Sequence, residues 1–342
     1  MIRSLTVLFC VCLYLFPEAQ TIGGSSIFNF LKLPQHALVA ASGGRTVSSL
    51  SNEVGLLSEN PAFLNALNHG DLSSNVTVLS PGITMVNATG ALHLEKINTT
   101  LALSINHLSY GIAEQTDAGG NVMGTFAPFD QFVQLSASHK YGSRWNYGAS
   151  LKYVASRYGI YSSKALAMDM GITFQDEEKG IHGGFAAKNM GIQLKTYAGQ
   201  GEDLPFDISA GISKKLENAP LRFTLTAQKM HQLDILYNDT LFSTSNGLQQ
   251  HTNGFLNKLI SHAILSGDLL LGDKVVVTLG YNFLRRKELV VERMANGLTG
   301  FSYGMTLKFK RMTFYFSRAH YQSSLAYINA GITCNLSKFR NN

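Results

Sequence analysis

Cysteine is almost missing from this chain. Three occur in 342 residues, and Cys10 and Cys12 lie inside an N-terminal apolar stretch, which leaves Cys334 by itself. Once that stretch is removed no intramolecular disulfide is possible, so the protein must be held by a core or by a membrane. Charge is also sparse: Asp, Glu, Lys and Arg make up 15% of the residues, against roughly 25% in soluble domains. Past the N-terminus no apolar run approaches the ~18 residues of a membrane-crossing helix, which excludes transmembrane helices. Basic clustering is lacking as well. The net charge is +6, yet Lys and Arg are scattered, with Arg285-Arg286-Lys287 the densest run. A nucleic-acid partner would need a basic patch. The scattered cations are expected on polar loops and barrel rims facing anionic lipid headgroups.

The N-terminus carries its own signal. Met1 to Arg3 is positive, Leu5 to Phe16 is mostly apolar, and Pro17-Glu18-Ala19-Gln20 follows. That order is a secretory signal peptide over 1–19, with Gln20 as the expected mature start.

What fills the rest is alternation. In Gly300 to Phe309, Phe301, Tyr303, Met305, Leu307 and Phe309 alternate with Ser302, Gly304, Thr306 and Lys308. Val275, Val277, Leu279, Tyr281 and Phe283 form one face of 274–283, and Tyr147, Ala149, Leu151 and Tyr153 oppose Gly148, Ser150 and Lys152. A period of two puts apolar residues on one face of a strand and polar ones on the other. The same pattern serves a soluble sandwich or a membrane barrel. Three features favour the barrel: polar faces of Gly, Ser, Thr and Asn, aromatic residues near strand ends, and strands long enough to cross at a tilt. The expected strands are 72–80, 83–94, 99–109, 131–140, 145–157, 163–175, 181–192, 205–216, 221–231, 262–271, 274–287, 299–309, 311–321 and 324–336. The fold class is therefore all-β, a closed antiparallel transmembrane barrel of about fourteen strands, because lipid tolerates no open sheet edge. Residues 110–130, with Asp117, Gly119, Gly120 and Asn121, are a candidate extra hairpin.

Two stretches break the alternation. Residues 20–70 read as short helices and turns, with Asn60-Pro61-Ala62 as a helix opening. Fourteen strands enclose more space than their own side chains fill, so this segment is expected as a plug or hatch in the lumen. The barrel proper is then 71–342. Within it, 232–262 is a long loop in which Phe255, Leu256, Leu259 and Ile260 recur at helical spacing, a short helix and a candidate partner-docking face.

The chemistry expected of an enzyme is not legible. His231, His251 and His262 have no ligand-like interval, and His182 and His320 sit in strand patterns. Ser245-Asn246-Gly247 resembles the serine segment of outer-membrane phospholipase A, but Ser243 stands where that family has its His, so the serine lacks an activating base. No catalytic, cofactor-binding or metal-ligating residues are assigned.

Gly23-Gly24-Ser25-Ser26-Ile27-Phe28-Asn29-Phe30-Leu31 resembles the mature start of the PorQ family, outer-membrane barrels of the type IX secretion system. Ala40 to Gly44, Asn52-Glu53-Val54 and Asn60-Pro61-Ala62-Phe63-Leu64 resemble the N-terminal pattern shared by PorQ, PorV and FadL-type barrels. The wider family usually has Asp before its Asn-Pro-Ala block, where this chain has Asn52-Glu53. The resemblance implies a fourteen-stranded barrel with a hatch. It also implies a non-enzymatic scaffold in the attachment complex, with a PorZ-like surface protein, a PorU-like sortase and a PorV-like barrel as partners and cargo joined to lipopolysaccharide. No cofactor is implied beyond a bound lipid or lipopolysaccharide. The FadL side of the resemblance implies the alternative, a transporter of hydrophobic small molecules with an apolar pocket and a lateral opening. Gly183-Gly184 and Gly191, in the seventh strand, are the candidate kink.

Overall fold

The computed structural model describes residues 26–49, 51–235, 254–289, 297–321 and 326–337. The expected signal peptide, the Gly23 to Ser25 block, the Ser243 to Gly247 segment and His251 lie outside these residues.

Alternating faces make alternating partners. Sixteen strands form among the described residues, β1 Asp71–Ser80, β2 Ile83–Leu94, β3 Thr99–Ser109, β4 Ala113–Thr116, β5 Val122–Phe126, β6 Phe129–Tyr141, β7 Trp145–Tyr158 and β8 Tyr161–Asp176 in the first half. The second half holds β9 Ile181–Lys195, β10 Asp207–Lys215, β11 Leu221–Ala227, β12 Ala263–Leu271, β13 Val275–Asn282, β14 Phe301–Lys308, β15 Met312–His320 and β16 Ala326–Asn335. Fourteen of them close a ring in chain order, with β1 pairing antiparallel to both β2 and β16. β4 and β5 pair only with each other, so the candidate hairpin exists but stands outside the wall. No helix among the described residues is long and apolar enough to cross a membrane.

The outward faces are exposed and apolar, as in Leu135, Leu151, Phe223, Leu279 and Met305. The inward faces are buried and polar. Thr89 and Ser104 hydroxyls lie 2.8 Å apart, and Gln134 donates to Ser136 and Ser150 at 3.0 Å. An apolar exterior around a hydrogen-bonded interior suits hydrocarbon outside the ring. Aromatic pairs mark the rim: Tyr141–Tyr147, Trp145–Phe174 and Phe309–Phe314 at one end, Tyr281–Phe301 at the other. The protein is an integral outer-membrane barrel.

Loop length orients it. Connections 95–98, 142–144, 177–180, 216–220, 272–274 and 309–311 share one end, while 81–82, 110–128, 159–160, 196–206, 228–262, 283–300 and 321–325 share the other, which therefore holds all the longest ones. Short turns are periplasmic and long loops extracellular in such barrels. β1 starts and β16 finishes at the short-turn end.

Three expected strands are shorter than their alternation. The strand expected over 274–287 ends at Asn282, whose side chain accepts from Arg285 N at 3.0 Å and opens a helix, α3. Helix α3 spans Phe283–Glu288. The strand expected over 221–231 ends at Ala227, where Lys229 turns left-handed at φ 53°. The strand expected over 205–216 begins only at Asp207.

Candidate functional site

Residues 26–49 and 51–70 lie across the interior of the ring, from the long-loop end to the short-turn end. Ser26 bridges to Asp203, and Ile27 N donates to Asp203 O at 3.0 Å. A 3-10 turn at Asn29–Lys32 follows, then helix α1 over Ala37–Ala41 against β14 and β15. Further 3-10 turns at Val54–Ser58, Pro61–Phe63 and Ala66–Asn68 lead to β1. His36 caps α1: its Nδ1 accepts from Leu38 N at 3.2 Å. Burial pushes its pKa down to about 4, so the ring is neutral and Nδ1 is free to accept.

The Asn60-Pro61-Ala62 motif is where this segment meets the wall. Asn60 Oδ1 accepts from Ala62 N at 3.0 Å. Its Nδ2 donates to Val47 O at 3.2 Å and to Ile172 O and Phe185 O of β8 and β9 at 3.3 Å. Two wall glycines make the approach possible. A Cβ on Gly171 would overlap Asn60 Oδ1, and one on Gly148 would overlap the backbone of Pro61 and Ala62. The motif opens a 3-10 turn rather than an α-helix because Phe63 N bonds back to Asn60 O.

Beside the motif lies a buried ion network that joins segment to wall. Arg45 Nη1 lies 3.1 Å from Asp207 and 3.7 Å from Glu59, and Lys188 Nζ lies 3.1 Å from Glu59. On the neighbouring strands Lys152 Nζ lies 2.5 Å from Asp169 and 3.1 Å from Asn189 Oδ1. Three cations face three anions. That balance is required, because an unpaired buried charge costs several kcal/mol. Burial alone would lower the Arg45 pKa, but Asp207 and Glu59 outweigh it and raise it.

The network surrounds a break in the wall. Met168 pairs with Met190 and Met170 with Ala187, so Lys188 and Asn189 of β9 oppose Asp169 alone. Asn189 takes the left-handed conformation at φ 58°, a conformation Asn tolerates better than most residues. A second shift lies at Lys164/Ala165. The β9–β10 ladder reaches no further than Lys188–Asp207, so 189–195 of β9 pair with β8 only. Side chains substitute for the ladder: Asn189 Nδ2 donates to Pro205 O at 3.0 Å, and Glu202 N donates to Gln193 Oε1 at 2.9 Å. The break is in the seventh strand of the ring, but the residue at it is Asn189. Gly184 instead faces Val47 O of the segment, and Gly191 faces Leu166 O.

Above the network the interior changes character. Ile27, Phe28, Phe30 and Leu31 pack on Leu79, Met85, Leu108, Phe132, Val154 and Ala165 of β1 to β8, and on Leu204 beside the break. Phe30 and Phe132 centroids are 6.1 Å apart. This apolar patch interrupts an otherwise polar wall.

Other expected site residues are apart from it. Helix α2, Phe255–Ser261, lies in the long-loop end against α3, and Phe255, Leu256, Leu259 and Ile260 are 76, 70, 56 and 41% exposed. Arg285 was expected on a rim with Arg286 and Lys287. It turns inward, with Nη2 3.0 Å from Gly43 O and its guanidinium 4.0 Å from the Tyr321 ring. His182 is buried facing the interior, and His262 Nδ1 lies 2.8 Å from Gln228 O. Among the described residues no group of three His, Cys, Asp or Glu could hold a metal ion.

Sequence reading missed the six network charges. Lys152, Asp169, Lys188 and Asp207 each lie on the polar face of an expected strand. A charge where Ser, Thr and Gly predominate was the available signal, but its partner is on another strand.

No protein-family model and no curated protein match this chain. Among solved structures it is similar to a deltaS2 mutant of the TodX monoaromatic hydrocarbon channel, with a TM-score of 0.52, 12% identity, and 88% of this chain and 98% of that chain covered. The CymD monoaromatic hydrocarbon channel gives 0.49 at 11% identity over 91% and 99%. A Pseudomonas aeruginosa FadL homologue gives 0.45 at 10% over 88% and 98%. At such identity the likeness is one of fold.

Proposed function

We propose that this barrel is a conduit for small hydrophobic molecules across the outer membrane. The observation that carries the reading is the apolar patch on the lumen wall beside the β9–β10 break. A water-filled pore has no use for Met85, Leu108, Phe132 and Val154 in its wall, whereas a hydrophobic ligand gains ~25 cal/mol per Å² on entering such a lining. Residues 27–31 occupy the patch and pair with 203, so their withdrawal would free both pocket and break. The fold shared with a hydrocarbon channel supports this reading. Uptake of radiolabelled toluene and laurate by cells with and without the protein is the test. We expect protein-dependent, saturable uptake that Phe132→Asp lowers at least tenfold. Equal uptake without the protein sinks the idea.

A specific observation favours a second reading. Four large apolar side chains of α2 stand exposed at the long-loop end, in keeping with a non-enzymatic anchor for a PorZ-like surface protein beside a PorU-like sortase and a PorV-like barrel. Such a patch is a common docking feature. If the surface partner stays on the cell after deletion of this barrel, the anchor reading is lost.

A further inference from the structure

The outer wall carries a second feature, independent of what crosses the lumen. A cavity of about 470 Å³ opens on the outward face of β6 to β8 near the long-loop end. Its lining includes the aromatic rings of Phe129 and Tyr153 and the polar side chains of Gln131, Arg157, Ser162 and Lys164. A third cation reaches in: Lys195 Nζ donates to Ser162 Oγ at 2.6 Å.

These cations are not neutralised by the protein. Arg157 Nε donates only to Gly159 O, at 3.3 Å, and neither it nor Lys164 or Lys195 forms an ion pair among the described residues. The carboxylate nearest in register is Asp130, opposite Ser156. It faces the interior, buried and held by Tyr110, Ser156 and Tyr158. Three positive charges therefore share one outward pocket with no ion-paired carboxylate among the described residues.

Height decides what meets them. Along β7 the outward residues run Trp145, Tyr147, Ala149, Leu151, Tyr153, Ala155 and Arg157. Arg157 lies ten residues past Tyr147 (157 − 147). At ~3.3 Å per residue and a tilt of about 40° that climb is roughly 25 Å, the height of the apolar band of such barrels. The guanidinium thus sits where outer-leaflet headgroups begin. Lys164, opposite Ala155 in register, is one step lower and reaches the same level by extending its stem.

We propose that this pocket binds the phosphate group of an anionic outer-leaflet lipid. Arg157 would grip two phosphate oxygens in its fork, Lys164 and Lys195 would supply point charges, and Phe129 and Tyr153 would pack the lipid's apolar portion. The test is native mass spectrometry of the full-length barrel in detergent, titrated with bisphosphorylated lipid A. Arg157→Gln with Lys164→Gln is expected to weaken binding at least tenfold. Lys96→Gln with Lys140→Gln, cations at the opposite end, is expected to leave it unchanged. Heat-modifiable gel mobility checks that both variants are folded, and falling wild-type affinity with added salt supports the ionic contact. Equal lipid A binding by the two variants overturns the proposal. Displacement of lipid A by an equal concentration of inorganic phosphate assigns a free-phosphate site and overturns the lipid.

Discussion

At the scale of single residues, His36 does two jobs with one ring. Its Nδ1 caps α1, and its face meets Tyr315 edge-on with centroids 4.5 Å apart. Protonation would remove the acceptor and place a charge in a dry site. Burial lowers its pKa from 6.5 to about 4. The unfolded ring therefore takes up its proton first. Docking stability is fully present above pH 6.5 and is lost as pH falls toward about 4. Hydrogen exchange at 37–41, taken relative to the intrinsic amide rate at each pH, is expected to quicken between pH 6.5 and 4.5 in the wild type. In His36→Asn, which keeps a capping oxygen, that acceleration is expected to be absent. An unaltered pH response in the variant would mean the sensitivity lies elsewhere.

At the scale of elements, the seventh strand carries the informative irregularity. Before Asn189 the odd residues of β9 face outward, as Phe185 does, and after it the even ones do, as Ile192 and Leu194 do. Deleting Asn189 alone would restore one-to-one pairing and keep Ile192 and Leu194 outward. The shortened strand is expected to extend its ladder toward β10 and close the break. We expect hydrophobic uptake to fall at least fivefold while heat-modifiable mobility is retained. Uptake at the wild-type level would separate transport from the break. The periodicity of 181–192 was legible, but Gly183, Gly184, Ala186, Ala187 and Gly191 mark neither face strongly, so the change of phase at Asn189 was not. The failure at 274–287 has a different cause. Alternation persists to Phe283, and Asn282 stops the strand by capping the turn after it.

At the scale of the whole molecule, loop lengths assign the two ends, and accessibility checks the assignment. Asp117→Cys, in the β4–β5 hairpin, is expected to react with an impermeant maleimide on intact cells. Asp273→Cys, between β12 and β13, is expected to react only after the outer membrane is permeabilised. The reverse pattern would invert the barrel and remove the proposed lipid pocket from the outer leaflet.

Alternation of period two, polar faces of Gly, Ser, Thr and Asn, aromatic residues near strand ends and strands long enough to cross at a tilt indicate an antiparallel membrane barrel from sequence alone, because each depends on residues close in the chain. The Asn60-Pro61-Ala62 turn is local in the same sense, and so was readable. The ion network, the wall glycines beneath Asn60 and the three outward cations are not. Glu59 meets Lys188, Gly171 meets Asn60, and Arg157 joins Lys164 and Lys195 only once the strands are in register and the ring is closed. Charge and van der Waals forces act over a few ångströms of space, and tertiary structure alone decided which distant residues share that space.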